Sequence, residues 1–168
     1  DYQRAIAIAP KMVPYLNDIA STYRQLEEYD MAIEYYKEAI AVNKNADFLY
    51  NNIGSAYKLK EHYKSAVMAY SKAILLNEKY VVAYNNRGAV RLELDDLEGA
   101  LGDFNKAIAL DNTYFFAYNN RANVKVKQND LKSALLDYSM AIKLNPNYGI
   151  AYYNRGLLYE KLYEMDKA

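Results

Sequence analysis

The side chains able to do chemistry here are mostly carboxamides rather than acids, bases or nucleophiles. The 168 residues hold 17 Asn and 20 Tyr against a single His and no Cys. Eight of the asparagines fall into two evenly spaced rows: Asn17, Asn51, Asn85 and Asn119, then Asn52, Asn86, Asn120 and Asn154, the second headed by Asp18. A carboxamide carries donor and acceptor together, so it can pair with any peptide unit whatever the neighbouring side chain. Catalysis and metal binding have little to draw on. His62 follows Glu61 in a predicted turn and reads as an ordinary solvated side chain. With one His, no Cys and no Gly-rich phosphate loop, few nucleophile and base combinations exist, and His62 lacks partners at metal-ligand spacing. The acidic pairs Glu27-Glu28 and Asp95-Asp96 fall in predicted turns, where charge serves solubility. No catalytic residue, metal site or cofactor is expected, and the chain does not read as an enzyme.

The rows are evenly spaced because the whole chain repeats every 34 residues without gap or insertion. Ala32, Ala66, Ala100, Ala134 and Ala168 form one row at that spacing, and Ala5, Ala39, Ala73, Ala107 and Ala141 a second. Ala20, Gly54, Gly88, Ala122 and Gly156 are all small; Tyr2, Tyr36, Tyr70, Phe104 and Tyr138 are all aromatic. Leu16, Tyr50, Tyr84, Tyr118 and Tyr152 make a further large row, and Pro10 returns as Pro146. Small residues let helix backbones approach closely, while aromatic rings fill the space between neighbours.

Within a repeat, apolar and small residues recur at helical spacing twice, as in Tyr84 and Gly88, then Ala100, Phe104 and Ala107 with Ile108. Candidate turns are Glu27 to Asp30, Glu61-His62, Asp95-Asp96 and Gln128 to Asp130, and the second helices stop near Asn43, Asn77, Asp111-Asn112 and Asn145-Pro146. The pattern predicts an all-α array of stacked antiparallel helix pairs. Complete repeats run 13–46, 47–80, 81–114 and 115–148, with 1–12 the tail of an earlier repeat and 149–168 the start of another. Repeat arrays normally end in a polar capping helix, and none is visible. The chain is therefore expected to be a piece of a longer array.

In these large, small, alanine and aromatic rows, and in the endings at Pro10 and Pro146, the whole chain resembles the tetratricopeptide repeat family. It departs from that family's pattern in having no Trp in the large row, and in ending most repeats with Asn, Lys or Glu where the family often has Pro. The resemblance implies a right-handed α-solenoid whose first helices line an inner, concave groove. At 100° per residue, Tyr84, Arg87, Gly88 and Arg91 share one helix face, while Val82, Asn85, Asn86, Ala89, Leu92 and Glu93 share the opposite one. The former face must pack, so the latter is expected to be displayed, and both asparagine rows stand on it. Asn is up to about 0.7 kcal/mol worse than Ala in a helix, so eight of them forgo about 5 kcal/mol, comparable with a domain's whole stability margin.

A similar Asn ladder serves the O-linked N-acetylglucosamine transferases in holding the backbone of extended peptides. The neighbouring row of Pro14, Phe48, Val82, Phe116 and Ile150 is apolar and suited to a ligand's side chains. Phe48 and Phe116 are the ligand contacts expected among the aromatic residues that open the first helices. A peptide groove is favoured over the plainer alternatives, in which the asparagines bond one another between adjacent helices or were simply inherited with the repeat. The family's dicarboxylate clamp for chaperone tails wants Lys, Asn, Asn, Lys and Arg where this chain has Asn51, Ser55, Asn86, Phe116 and Asn120. One position matches, so a Hsp70 or Hsp90 C-terminal tail is disfavoured.

A second pattern is electrostatic. Ile19 and Ile53 become Arg87, Arg121 and Arg155 in later repeats, and Tyr23 and Tyr57 become Arg91 and Lys125. Where this happens the second helix carries Asp103 and Asp137 in place of Tyr35 and Ala69. Because an unpartnered charge on a packed face is expensive, ion pairs from Arg87 to Asp103 and from Arg121 to Asp137 are expected. An anion site is the alternative, since one Asp does not neutralise two cations.

The chain's 21 Lys and Arg balance its 21 Asp and Glu, which removes the electrostatic footprint of a general nucleic-acid or anionic-membrane binder. No apolar run approaches the length of a membrane span. A soluble, cytoplasmic protein is expected, acting as an interaction scaffold for an extended or helical peptide. Two alternatives stand beside this: a self-assembling module stacking end to end through uncapped repeats, and a substrate-recruiting arm of an enzyme whose catalytic domain lies elsewhere.

Overall fold

Apolar stripes at helical spacing, broken by short polar turns, leave the chain one regular option. The computed structural model describes residues 13–165, and Tyr2, Ala5, Pro10 and Ala168 of the rows above lie outside them. The described helices are α1 (Val13–Gln25), α2 (Tyr29–Val42), α3 (Asp47–Leu59), α4 (Tyr63–Leu76), α5 (Val81–Glu93), α6 (Leu97–Leu110), α7 (Phe115–Lys127), α8 (Leu131–Leu144) and α9 (Gly149–Met165). No strand occurs among the described residues. The fold class is all-α, a tandem array of helix pairs.

One turn design closes each pair. Its left-handed residue has φ of 62° at Glu27, 59° at Glu61, 60° at Asp95 and 63° at Asn129. The following amide then donates to the carbonyl five residues back, Glu28 to Tyr23, His62 to Tyr57, Asp96 to Arg91 and Asp130 to Lys125, which is a Schellman closure. A left-handed backbone costs a side-chain-bearing residue about 1–2 kcal/mol, and Gly gives back about 0.5–1 kcal/mol of that through the freedom of the unfolded chain. Glu61 is exposed. Glu61→Gly is therefore expected to stabilise by about 0.5 kcal/mol, read as a small rise in thermal midpoint; a fall would mean that the Glu61 side chain supports the turn.

The helix after the turn starts differently along the chain. The Asp96 carboxylate accepts from the Gly99 amide at 3.0 Å, and that of Asp130 from the Ser133 amide at 3.2 Å. Glu28 and His62 occupy the same capping position without a side-chain bond.

The fold comprises two compact units that divide between Ala83 and Tyr84, each with its own core. In the first, Leu16, Ala20, Tyr36, Leu49, Ile53 and Ala56 are among the residues buried together between α1, α2 and α3. In the second, Ala100, Phe104 and Val124 form one cluster, Ala122, Leu131, Ala134, Tyr138 and Leu158 another, and Ala141, Ile142 and Ala151 a third. The small row sets how closely the helices of a pair approach. A β-carbon on Gly54 would sit 2.8 Å from the Tyr70 ring, and one on Gly88 2.8 Å from the Phe104 ring.

Candidate functional site

The asparagines come together by stacking of first helices. In the first unit the Asn52 amide nitrogen donates to the Asn17 side-chain oxygen at 2.9 Å, bridging α3 and α1. In the second, Asn120 donates to Asn85 at 3.0 Å, bridging α7 and α5, and Asn154 donates to Asn119 at 3.1 Å, bridging α9 and α7. Within a helix the inner amide turns to its neighbour: Asn119 donates to Asn120 at 3.3 Å and Asn51 to Asn52 at 3.5 Å. The amides thus form a relay, running Asn154 to Asn119 to Asn120 to Asn85 in the second unit.

The two rows differ in burial. Asn51 and Asn85 are each 7% exposed and Asn119 is 2% exposed, while Asn52, Asn86, Asn120 and Asn154 are half-buried. The sequence places both rows on one displayed face; in the structure Asn51, Asn85 and Asn119 are covered, and Asn85 and Asn119 each accept from the asparagine of the next first helix. A carboxamide has two N–H groups and two oxygen lone pairs. Asn120 commits one of each within the relay, which leaves one N–H and one lone pair outside it. Bonded amides polarise and orient one another, so the inner row holds the outer one in a fixed attitude.

One turn before each outer amide stands the apolar row, since i and i+4 are neighbours on a helix. Phe48 is 38% exposed, Phe116 39% and Ile150 57%, and Val82 is half-buried. The Phe116 ring lies 4.1 Å from that of Phe115 and 5.4 Å from those of Tyr114 and Tyr148, so its inner edge is packed and its outer face is open.

On the opposite face of the first helices, the second unit is ionic. Asp103, 3% exposed, accepts from the Arg87 guanidinium at 2.9 and 2.7 Å and from Arg91 at 2.9 Å. Asp137, 5% exposed, accepts from Arg121 at 2.8 and 2.6 Å and from Lys125 at 2.7 Å. Hydrogen bonding to Asp137 raises the Arg121 pKa further above its already high value. Arg87, Arg121 and Arg155 each also lie over a tyrosine one turn earlier, Tyr84, Tyr118 and Tyr152, at 5.4–5.7 Å from the ring centre, a contact worth about 0.5–1 kcal/mol at exposed sites. Each carboxylate thus gathers two cations, and Arg91 also reaches the Asp96 carboxylate at 3.6 Å.

A third set of contacts went unread in the sequence. The buried hydroxyl of Tyr36 meets Ser21 at 3.0 Å, that of Tyr70 meets Ser55 at 3.1 Å, and that of Tyr138 donates to Asn123 at 2.6 Å. Where the aromatic row has Phe104, the partner position has Ala89. The signal was there: a polar residue appears in that row wherever the ring carries a hydroxyl. Burial pushes the Tyr70 and Tyr138 hydroxyls up to about 12, so they act as neutral hydrogen-bonding groups.

His62 is exposed at the turn, its ring 6.4 Å from that of Tyr57. Among the described residues no cluster of three or more His, Cys, Asp or Glu is placed to hold a metal ion, and no helix is long and apolar enough to cross a membrane.

The described geometry has known counterparts. Models of the tetratricopeptide repeat match residues 13–46 and 49–80, and a further model described as TPR repeat matches 122–162. No curated protein sequence matches the chain. Among solved structures, MamA is 24% identical with a TM-score of 0.78, over 94% of this chain and 86% of that one. YrrB, described as a TPR protein with an unusual peptide-binding site, is 22% identical with a TM-score of 0.74, over 95% of this chain and 82% of that one. The first TPR domain of Spaghetti (RPAP3) bound to an HSP90 peptide is 25% identical with a TM-score of 0.66, over 69% of this chain and 92% of that one.

Proposed function

We infer that this chain, which belongs to the tetratricopeptide repeat family, is a protein interaction scaffold whose first helices grip a peptide segment. The observation that carries this reading is the oriented outer amide. Asn120 offers one N–H and one lone pair beside the open face of Phe116, which suits a peptide unit together with its side chain. Asn52 beside Phe48, Asn86 beside Val82, and Asn154 beside Ile150 repeat the pairing of an amide with an apolar residue one turn earlier. The buried Asn51, Asn85 and Asn119, with the half-buried Asn17, are the mounts for this face rather than its contacts. Two structural neighbours are described as peptide-binding or peptide-bound, which supports a peptide ligand in general. An acidic chaperone tail is disfavoured, because Phe116 and Asn120 stand where its clamp needs cations.

The ion pairs from Arg87 to Asp103 and from Arg121 to Asp137 are assigned to holding the helix pair together, on the side away from the peptide. The test is an affinity capture with Asn86→Ala and Asn120→Ala combined. The double variant is expected to keep its helical circular dichroism and to lose the partners held by the parent chain. An unchanged set of captured partners would overturn the role of the outer row.

A further inference from the structure

The first unit carries a cavity of about 370 Å³ on the side of α3 away from Asn52. At 100° per residue, Tyr50, Ile53 and Tyr57 of its floor point opposite to Phe48 and Asn52. The flanking walls come from α2 and α4, with Ile40 and Ala69 inside and Met68, 73% exposed, over the rim. Lys37 and Lys72 flank the mouth, both exposed, and no carboxylate lines it.

The cavity has a traceable origin. One position on the second helix reads Tyr35, Ala69, Asp103 and Asp137 in successive repeats, and the position facing it on the first helix reads Tyr23, Tyr57, Arg91 and Lys125. Three repeats fill the space between: Tyr35 stacks on Tyr23 at 5.4 Å and 7°, and Asp103 and Asp137 bind their cations. In the repeat 47–80 the facing residue is Ala69, so Tyr57 has no such partner there and the missing ring is a hole. Its volume is at the lower end of ligand pockets, which run about 300–1,000 Å³.

We propose that this hole between α2 and α4 is a second docking site, which takes an aromatic side chain from a partner segment with acidic residues on either side of it. The ring would stack on Tyr57 as Tyr35 stacks on Tyr23, and the flanking carboxylates would meet Lys37 and Lys72. Such a stacked aromatic pair contributes beyond its buried area, and the lysines select the sign of the segment's charge.

The test uses the whole chain with carbon-13 methionine methyl groups, so that Met68 reports binding locally by NMR. The probe is acetyl-Glu-Glu-Tyr-Glu-Glu-amide, with a version carrying Ala for Tyr and one carrying Lys for every Glu. The first is expected to shift the Met68 methyl saturably, through the ring current of its tyrosine, and the other two to bind at least tenfold more weakly. Ala69→Tyr, which rebuilds the stack of the preceding repeat, is expected to weaken binding at least tenfold. Lys37→Glu with Lys72→Glu alters exposed residues only and is expected to transfer the preference to the Lys-flanked probe. That charge reversal decides the matter if Ala69→Tyr does not fold. An absent Met68 response to the first probe, an equal response to the Ala version, or unchanged affinity in a folded Ala69→Tyr chain would each overturn the proposal.

Discussion

Asp103→Asn is expected to lower the stability of the second unit by about 3 kcal/mol. Removing one partner of a buried ion pair costs about 3–5 kcal/mol because it strands the other charge. The lower end applies because the side chains of Arg87 and Arg91 keep 15% and 26% exposure and so retain some water when their carboxylate goes. The chain contains its own alternative at the same three positions in Ile53, Tyr57 and Ala69. The triple change Arg87→Ile, Arg91→Tyr and Asp103→Ala should therefore recover most of the loss, since apolar replacement of a buried ionic cluster is often neutral or better. Denaturant midpoints of the single and triple variants measure both effects. An unchanged midpoint for Asp103→Asn would show that the cluster does not hold the helix pair.

The other large effect is at Phe104, which is fully buried against Ala100 and Val124 with Gly88 beneath its ring. Phe104→Ala is expected to cost about 3–5 kcal/mol, from the lost transfer of the ring and the cavity left behind. Phe104→Tyr is the more informative change. It buries a hydroxyl opposite Ala89, whose side chain cannot accept it, and an unsatisfied buried polar group costs about 1–3 kcal/mol. Adding Ala89→Ser recreates the contact made by Ser55 and Tyr70 and should return most of that cost. A double variant no more stable than Phe104→Tyr alone would mean that the hydroxyl in this row finds water instead.

These two sites mark how far the sequence can be read. The 34-residue period, the alternation of small and aromatic rows and the polar turns are local or evenly spaced, so they announce helix pairs without any knowledge of contacts. The exchange of Ile and Tyr for Arg, matched by a change to Asp on the second helix, likewise carries its own explanation, because a charge on a packed face demands a partner. The division of labour between the asparagine rows does not. A helical wheel puts Asn85 and Asn86 on one face 100° apart, and it cannot say which of them the next helix will cover. The wheel also treats Ala69 as one more small residue, although the space it leaves exists only because α2 and α4 hold their distance across α3.

The residue rows alone therefore determined that the chain is an all-α array, where its helices turn, and which side of each first helix must pack. Tertiary structure decided which asparagines are covered and which stay half-exposed, which tyrosine hydroxyls have partners, and where a missing side chain leaves a hole. The physical reason is that period and amphipathicity are properties of one helix, whereas an amide bridge or a cavity depends on the distance between helices. That distance is set by small residues such as Gly54 and Gly88 acting against rings that lie 16 residues away in the sequence.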